Sequence, residues 1–286
     1  MKSTVKTMTG DSLAYQLDKL EYNIISISYL NEDRSKRSPR SILSHFKILV
    51  MMSGKASVHM GRNIYYCKKG DCIIFAPGSL YHAEIQGPDR CSFISLNFST
   101  LQPVQARTLK KLLAVKDISI YPSLIPENTM QYLWQVFSAA REDREGSYYS
   151  TGLLLRRLVG LMAYSKPVIT DIKDKNMTLS REQLVLRCHR HIVNNPDTPV
   201  TVADLCGLCN VSQSYMYKCF LSVLGMSTKD FITRTKLEIA ERSLLQTNKT
   251  ILQIAQENGY PNGYRFSAAF KKQYSLSPAA WRKANR

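Results

Sequence analysis

Hydrophobic positions recur along the first third of the chain in short runs closed by turn residues. Ile24, Ile25, Ile27 and Tyr29 open the series, and a second run over 46–52 ends at Ser53, Gly54 and Lys55. Shorter runs follow at 56–60, 64–67 and 72–75, separated by Gly61-Arg62-Asn63 and Lys68-Lys69-Gly70-Asp71, and a last one covers 93–98. Short runs at this spacing predict a β-sandwich or barrel. The period then changes. Met130, Leu133, Trp134 and Phe137 recur at helical spacing within 128–141, and Leu154, Leu155, Leu158, Leu161 and Met162 do so within 151–164. The stretch SKPVITDIKDKNMTLS at 165–180 is polar, holds a proline and has no period, which marks a linker. From Arg181 to the end the pattern is helical. The expected fold class is therefore α+β in two domains. A β-barrel occupies 1–125, a helical segment suited to dimerisation 126–165, a linker 166–180 and an all-α domain 181–286.

Within the helical domain two segments share a layout about fifty residues apart. One starts at Thr201 and runs through Asn210 and Ser212 to Phe220; the other starts at Thr250 and runs through Gly259 and Asn262 to Phe270. Each opens on a threonine suited to an N-cap. Each has a turn residue, Asn210 or Gly259, of a type that tolerates positive φ. Each continues into a second helix with aromatic anchors. Two short helices crossing steeply need a small residue at their contact, such as Ala255. This is helix-turn-helix chemistry, in which the second helix enters the major groove of DNA. If Val211, Met216 and Phe220 face inward, Gln213, Ser214, Tyr217 and Lys218 point outward. If Phe266 and Phe270 face inward, Asn262, Gly263, Arg265, Ser267 and Ala268 are groove candidates, with Tyr264 ambiguous. Lys218 suits phosphate or guanine equally, Arg265 suits a base, and Lys271 and Lys272 suit phosphate or solvent.

Charge strengthens this reading without locating it. The chain has 286 residues, 39 Lys and Arg against 22 Asp and Glu, and a formal net charge of +17, a balance that points to a polyanion. Residues 181–286 contribute +8 of that, so both halves are basic and only the residue pattern picks out the DNA-binding part. No apolar run is long enough to span a membrane and the first twenty residues lack a signal-peptide core, so a cytoplasmic location is expected. Seven cysteines without disulfide spacing fit a reducing compartment. Cys206 and Cys209 form a C-x-x-C, read as two small buried residues because no second pair accompanies them.

The segment 259–282, GYPNGYRFSAAFKKQYSLSPAAWR, resembles the signature of AraC/XylS-type regulators. Ile254-Ala255, Gly259-Tyr260, Phe266, Phe270-Lys271-Lys272, Pro278 and Arg282 carry the likeness, with Val211-Ser212, Tyr215, Phe220 and Gly225 in the first unit. Ser275 departs from it, standing where the family usually has glycine. The resemblance implies an N-terminal cupin barrel, helical dimerisation into a homodimer, regulation by a small-molecule effector, and an activator that works with RNA polymerase on promoter DNA. Replacing Leu154 and Leu158 by Glu is expected to break such a dimer.

Residues 70–82, GDCIIFAPGSLYH, look like a second cupin motif that aims His82 at a barrel mouth. Alternation places His45, Lys47, Leu49 and Met51 on one face of a strand and Phe93, Ser95 and Asn97 on one face of another. If these faces are interior, His45, Lys47, His82, Phe93 and Ser95 form an effector site for a small polar ligand, with an anion suited to the lysine. The other reading turns Phe46, Ile48 and Val50 inward and leaves Lys47 in solvent. A metal-dependent cupin enzyme with an appended DNA-binding domain is the alternative from another class. It needs several His and a Glu, but there is no H-x-H and His59 stands alone in its region, so no metal, cofactor or catalytic residue is expected. A nonspecific architectural DNA-binder is a third reading, disfavoured by the duplicated reading heads.

Overall fold

The structure is a computed structural model that describes residues 12–32, 38, 40–60, 63–86, 90–169 and 180–284. It divides into two compact units. The first holds residues up to Ser38 and His45–Ile172; the second holds Pro39–Ser44 and Lys173–Arg286. The turn expected at Gly61-Arg62-Asn63 lies largely outside the described residues, as does most of the expected linker, from residue 170 to 179.

In chain order the first unit contains α1 (Ser12–Asp18), β1 (Tyr22–Glu32), β3 (Phe46–Ser53), β4 (Lys55–Met60), β5 (Asn63–Lys68), β6 (Cys72–Phe75), β7 (Leu80–Gln86) and β8 (Cys91–Thr100). It continues with α2 (Pro103–Leu112), β9 (Ile118–Tyr121), α3 (Glu127–Arg141), α4 (Ser147–Ala163) and β10 (Val168–Ile169), and the short β2 (Ser41–Ile42) falls in the second unit. One antiparallel sheet runs β1-β8-β3-β6-β9-β10, and in a second, β4 pairs with β5 on one side and β7 on the other. The strand series expected from the sequence is present. The pattern missed β7, β9, β10 and the helices α1 and α2, and β10 lies where a linker was expected.

Both faces of the larger sheet are covered. Phe46, Ile48, Val50, Ile94, Leu96 and Phe98 pack against Leu133, Leu154, Leu155 and Leu158 of α3 and α4. Burying that many aliphatic and aromatic side chains, each contributing roughly 1.5–3 kcal/mol, makes this the main core of the unit. Leu154 and Leu158 are fully buried there. The expectation that they would pair subunits is corrected: helical periodicity identifies an apolar stripe but not what it packs on.

Asp71 fixes the turn between β5 and β6. Its carboxylate accepts from the backbone N–H of Lys68 at 2.9 Å and of Ser123 at 2.8 Å, so one buried side chain ties two loops together. No helix among the described residues is long and apolar enough to cross a membrane.

The second unit is helical: α5 (Arg181–Asn194), α6 (Val202–Cys209), α7 (Gln213–Leu224), α8 (Thr228–Gln246), α9 (Ile251–Glu257), α10 (Gly263–Tyr274) and α11 (Pro278–Ala284). Its core has two centres. Cys188, Cys209, Met216 and Phe220 are buried in one, where Cys188 Sγ lies 3.6 Å from Cys209 Sγ. Leu237, Ala240, Leu244, Ile254, Ala255, Phe266 and Phe270 form the other. All seven cysteines are unpaired and buried, Cys206 and Cys209 among them. Burial pushes the Cys188 thiol well above its ordinary range, so these side chains behave as small apolar residues.

Candidate nucleic-acid interface and effector face

The two halves of the helical unit repeat each other in their caps as well as their helices. Thr201 and Thr250 cap α6 and α9, each closing a reciprocal capping box, with Asp204 and Gln253 as partners. The Thr201 hydroxyl and backbone N–H hold the Asp204 carboxyl below the usual carboxylate range. Ser212 caps α7 and Asn262 caps α10. Both second helices end on a left-handed residue, Gly225 at φ 70° and Ser275 at φ 64°. Asn210 takes the turn between α6 and α7 at φ 54° and Gly259 the turn after α9 at φ 74°, the conformation expected from their residue types. Ala255 is buried against Phe266 in the second core.

This scaffold fixes which side chains α7 and α10 present. Met216 and Phe220 are fully buried, whereas Gln213, Ser214, Tyr217 and Lys218 are exposed. On α10, Phe266 and Phe270 are fully buried and Arg265, Ala268 and Lys271 are exposed. Tyr264, ambiguous by periodicity, is 84% exposed and joins the outward face. Three candidates sit differently from a plain outward position. Gly263 and Ser267 are half-buried, and the Asn262 side-chain oxygen accepts from the Arg265 N–H at 2.9 Å, so its first role is capping.

Lys236, on the helix α8 that joins the α6–α7 and α9–α10 pairs within the helical unit, was not singled out by sequence. Its Nζ donates to the Thr198 carbonyl at 2.8 Å and the Asn258 carbonyl at 3.1 Å. It therefore ties the approach to α6 to the end of α9. A lysine on a helix reads from sequence as solvated surface, so only the fold reveals this role.

In the first unit, strand register decides the alternative left open for Lys47. Lys47 pairs with Asn97, Leu49 with Ser95 and Met51 with Phe93 across β3 and β8, so these six share a face. That face is opposite the one packed on α3 and α4. Lys47 Nζ donates to the Tyr81 hydroxyl of β7 at 2.9 Å, and Tyr81 packs on Phe75 with ring centroids 4.2 Å apart. The side chain is neither in open solvent nor in the helix-packed core; it lies between the two sheets. His45 Nε2 is 3.2 Å from Asn97 Oδ1. Ser95 is 1% exposed and its hydroxyl has no hydrogen-bond partner, an uncompensated polar group on that face.

His82 does not join this group. It alternates with Tyr81 on β7 and so points to the opposite face of the smaller sheet. There it stacks on His59 with ring centroids 4.6 Å apart, beside Glu84. Placing His82 with Lys47 in one effector site is corrected by this alternation. His59 is likewise not isolated, because β4–β7 pairing brings His82 directly opposite it.

The chain matches the AraC-like ligand binding domain family over residues 26–159 and the helix-turn-helix domain family over residues 205–284. The Msm operon regulatory protein of Streptococcus mutans is 30% identical over 254 residues, covering 88% of this chain and 88% of that protein. The chain belongs to the AraC/XylS family of transcription regulators. The raffinose operon transcriptional regulatory protein of Pediococcus pentosaceus is 33% identical over 132 residues, 46% of this chain and 46% of that protein. The chain thus spans about half the length of that curated relative. Among solved structures, ToxT from Vibrio cholerae O395 aligns over 93% of this chain and 97% of its own at 14% identity, with a TM-score of 0.43, too loose a likeness to carry weight.

Proposed function

We propose that this family member is a sequence-specific DNA-binding transcription activator, acting in the cytoplasm, with two recognition helices reading successive major grooves. The duplicated geometry carries the reading: α7 and α10 have matching caps and matching buried anchors and present Gln213, Ser214, Tyr217 and Lys218 on one and Tyr264, Arg265 and Ala268 on the other. Helices that dock one helical turn apart sit about 34 Å apart along one face of the DNA. Selection of bound sequences from a random library with the full chain, followed by footprinting, tests this. Two conserved half-sites about one turn apart are expected. Binding that shows no preference over competitor DNA overturns it in favour of an architectural role.

The sensor unit takes a small polar effector against the face that holds His45, Lys47, Phe93 and Ser95, and the proposal adds Tyr81, whose hydroxyl accepts from Lys47 Nζ at 2.9 Å. A cation, an unpartnered hydroxyl and an aromatic wall suit a hydroxyl-rich ligand. Names of relatives refer to raffinose and lactose operons, so oligosaccharides are the first probes for a thermal-shift screen. A ligand that stabilises the wild type and the Lys47→Ala variant equally removes this face from the account.

The partners are promoter DNA, RNA polymerase and a second copy of the chain. Homodimerisation is favoured by one observation. α4 and its C-cap keep an exposed stripe of Tyr149, Leu153 and Tyr164, at 70%, 45% and 61% exposure, on the side away from the core.

A further inference from the structure

The stacked histidines belong to the first unit and lie on the face of the smaller sheet opposite Tyr81. His59 and His82 are a directly opposed cross-strand pair, and Glu84 follows His82 by two residues, so all three side chains leave one face of the β4–β7 ladder. The rings lie nearly parallel, 18° apart. His59 Nε2 is 3.4 Å from Glu84 Oε2, and His82 Nε2 is 3.7 Å from Glu84 Oε1. One donor atom from each residue falls within 4.8 Å of the other two.

We infer that His59, His82 and Glu84 form a binding site for a divalent transition-metal ion of the zinc class. In a tetrahedral site with bonds of about 2.0–2.2 Å, neighbouring donor atoms stand about 3.4 Å apart. The two histidine–carboxylate separations are already close to that edge, so a small convergence completes the set. Two imidazole nitrogens and one carboxylate favour zinc and its first-row neighbours over magnesium or calcium, which take oxygen donors. A dication is held by two neutral imidazoles and one carboxylate converging on one point. Partial burial helps, with side-chain exposures of 18% for His59, 7% for His82 and 32% for Glu84.

The surroundings fit a second layer. Ser57 Oγ is 2.9 Å from His59 Nε2 and accepts from Gln86 Nε2 at 2.8 Å. On metal binding that Nε2 lone pair goes to the ion and the Ser57 hydroxyl turns to the Glu84 carbonyl, 3.5 Å away. Three protein donors leave a fourth position for water or an added ligand. Sequence inspection overlooks the set because its donors come from two strands and follow no contiguous metal motif.

The test uses the full chain, stripped with a chelator and titrated with Zn2+ by calorimetry and with Co2+ by visible absorption. One equivalent of Zn2+ is expected, with tetrahedral Co2+ bands and no thiolate charge-transfer band, and Mg2+ should not compete. His82→Ala and Glu84→Gln should each weaken binding by more than about tenfold, while Cys209→Ser leaves it unchanged. Glu84→Gln keeps side-chain shape on a partly exposed position, and circular dichroism checks that the fold persists. Absence of saturable binding at one equivalent overturns the site, as does binding that survives Glu84→Gln or that carries a thiolate band.

Discussion

The ammonium of Lys236 lies 3.1 Å from the carbonyl oxygen of Asn258, and its other bond reaches the carbonyl of Thr198. One side chain from α8 thereby fixes the spacing of two reading heads that share few direct contacts. Lys236 is only 6% exposed, and burial lowers its pKa from the ordinary lysine value, with Asp197 pulling in the other direction. Lys236→Met keeps the length and removes both donors. It leaves two carbonyls without this partner and should destabilise the helical unit by about 1–3 kcal/mol. Denaturant unfolding checks this, and no change in midpoint would show the bonds to be dispensable.

Gly259 is coupled to the same lysine. A Cβ there would stand 2.9 Å from Lys236 Nζ and 3.4 Å from Pro199 Cα, at a φ of +74°. Gly259→Ala should cost about 1–2 kcal/mol in backbone strain alone and should also displace the ammonium. Both changes disturb one interaction, so the double variant with Lys236→Met should lose less than the sum of the two. Strict additivity in a double-mutant cycle would argue against the coupling.

Ser275 presents the opposite situation. It closes α10 in the left-handed region at φ 64°, where Gly225 stands after α7, and its N–H bonds the Lys271 carbonyl at 2.8 Å. Ser275→Gly should relieve strain and raise stability by about 0.5–1 kcal/mol, with DNA affinity unchanged. A fall in the unfolding midpoint would show that the serine side chain does something the geometry does not explain.

Much of the helical unit was legible in the sequence because its signals are local. Thr201, Thr250, Asn210 and Gly259 have residue types that dictate caps and turns, and helix faces follow from Phe220, Phe266 and Phe270. The sensor unit was legible as a series of strands followed by two helices, but not in what its faces pack on. Whether Lys47 points into a core, into solvent or between sheets depends on what covers each face, which alternation cannot say. His82 failed for the same reason: motif likeness gave its position along the chain, but the parity of β7 puts it on the face away from Tyr81. Glu84 and Lys236 carried no signal, since both act through partners distant in sequence.

His189 gives the helical unit an acid dependence. It is buried, its Nδ1 has no hydrogen-bond partner, and burial, with Arg242 and Arg190 adding to it, lowers its pKa from 6.5 to about 4. The folded pKa lies below the unfolded one, so the unfolded chain takes up the proton first as pH falls. Stability should therefore decline between about pH 6.5 and 4, by up to about 3 kcal/mol from this group. His189→Leu should flatten that part of the curve. Superimposable acid profiles for the two proteins would remove His189 as its source.

On the proposed homodimer, the two faces of α4 divide between folding and association. Leu154 is fully buried against the sheet, so Leu154→Glu places a charge in the core and should unfold the sensor unit. Leu153 is 45% exposed, and Leu153→Glu should leave the fold intact while weakening a dimer built on the outer stripe. Sedimentation at micromolar concentration distinguishes them. A Leu153→Glu protein as dimeric as the wild type would exclude this face.

On the proposed reading, base and phosphate contacts divide between Arg265 and Lys271 by position along α10. Arg265 is exposed in the first turn, where a recognition helix meets base edges, while Lys271 lies near the other end, beside Lys272. A guanidinium that pairs with a base edge contributes to one sequence over others, whereas an ammonium on phosphate contributes to all sequences and releases counterions. Arg265→Ala should therefore cost about 1–3 kcal/mol on the preferred site and relax selectivity at one or two positions. Lys271→Ala should weaken preferred and random DNA alike and lower the slope of log affinity against log salt by about 1. Binding isotherms for both variants on preferred and scrambled duplexes across a salt series test the division. If the two variants lose the same affinity on every duplex, Arg265 is a phosphate contact, and the reading of bases falls to Tyr264 and Ala268.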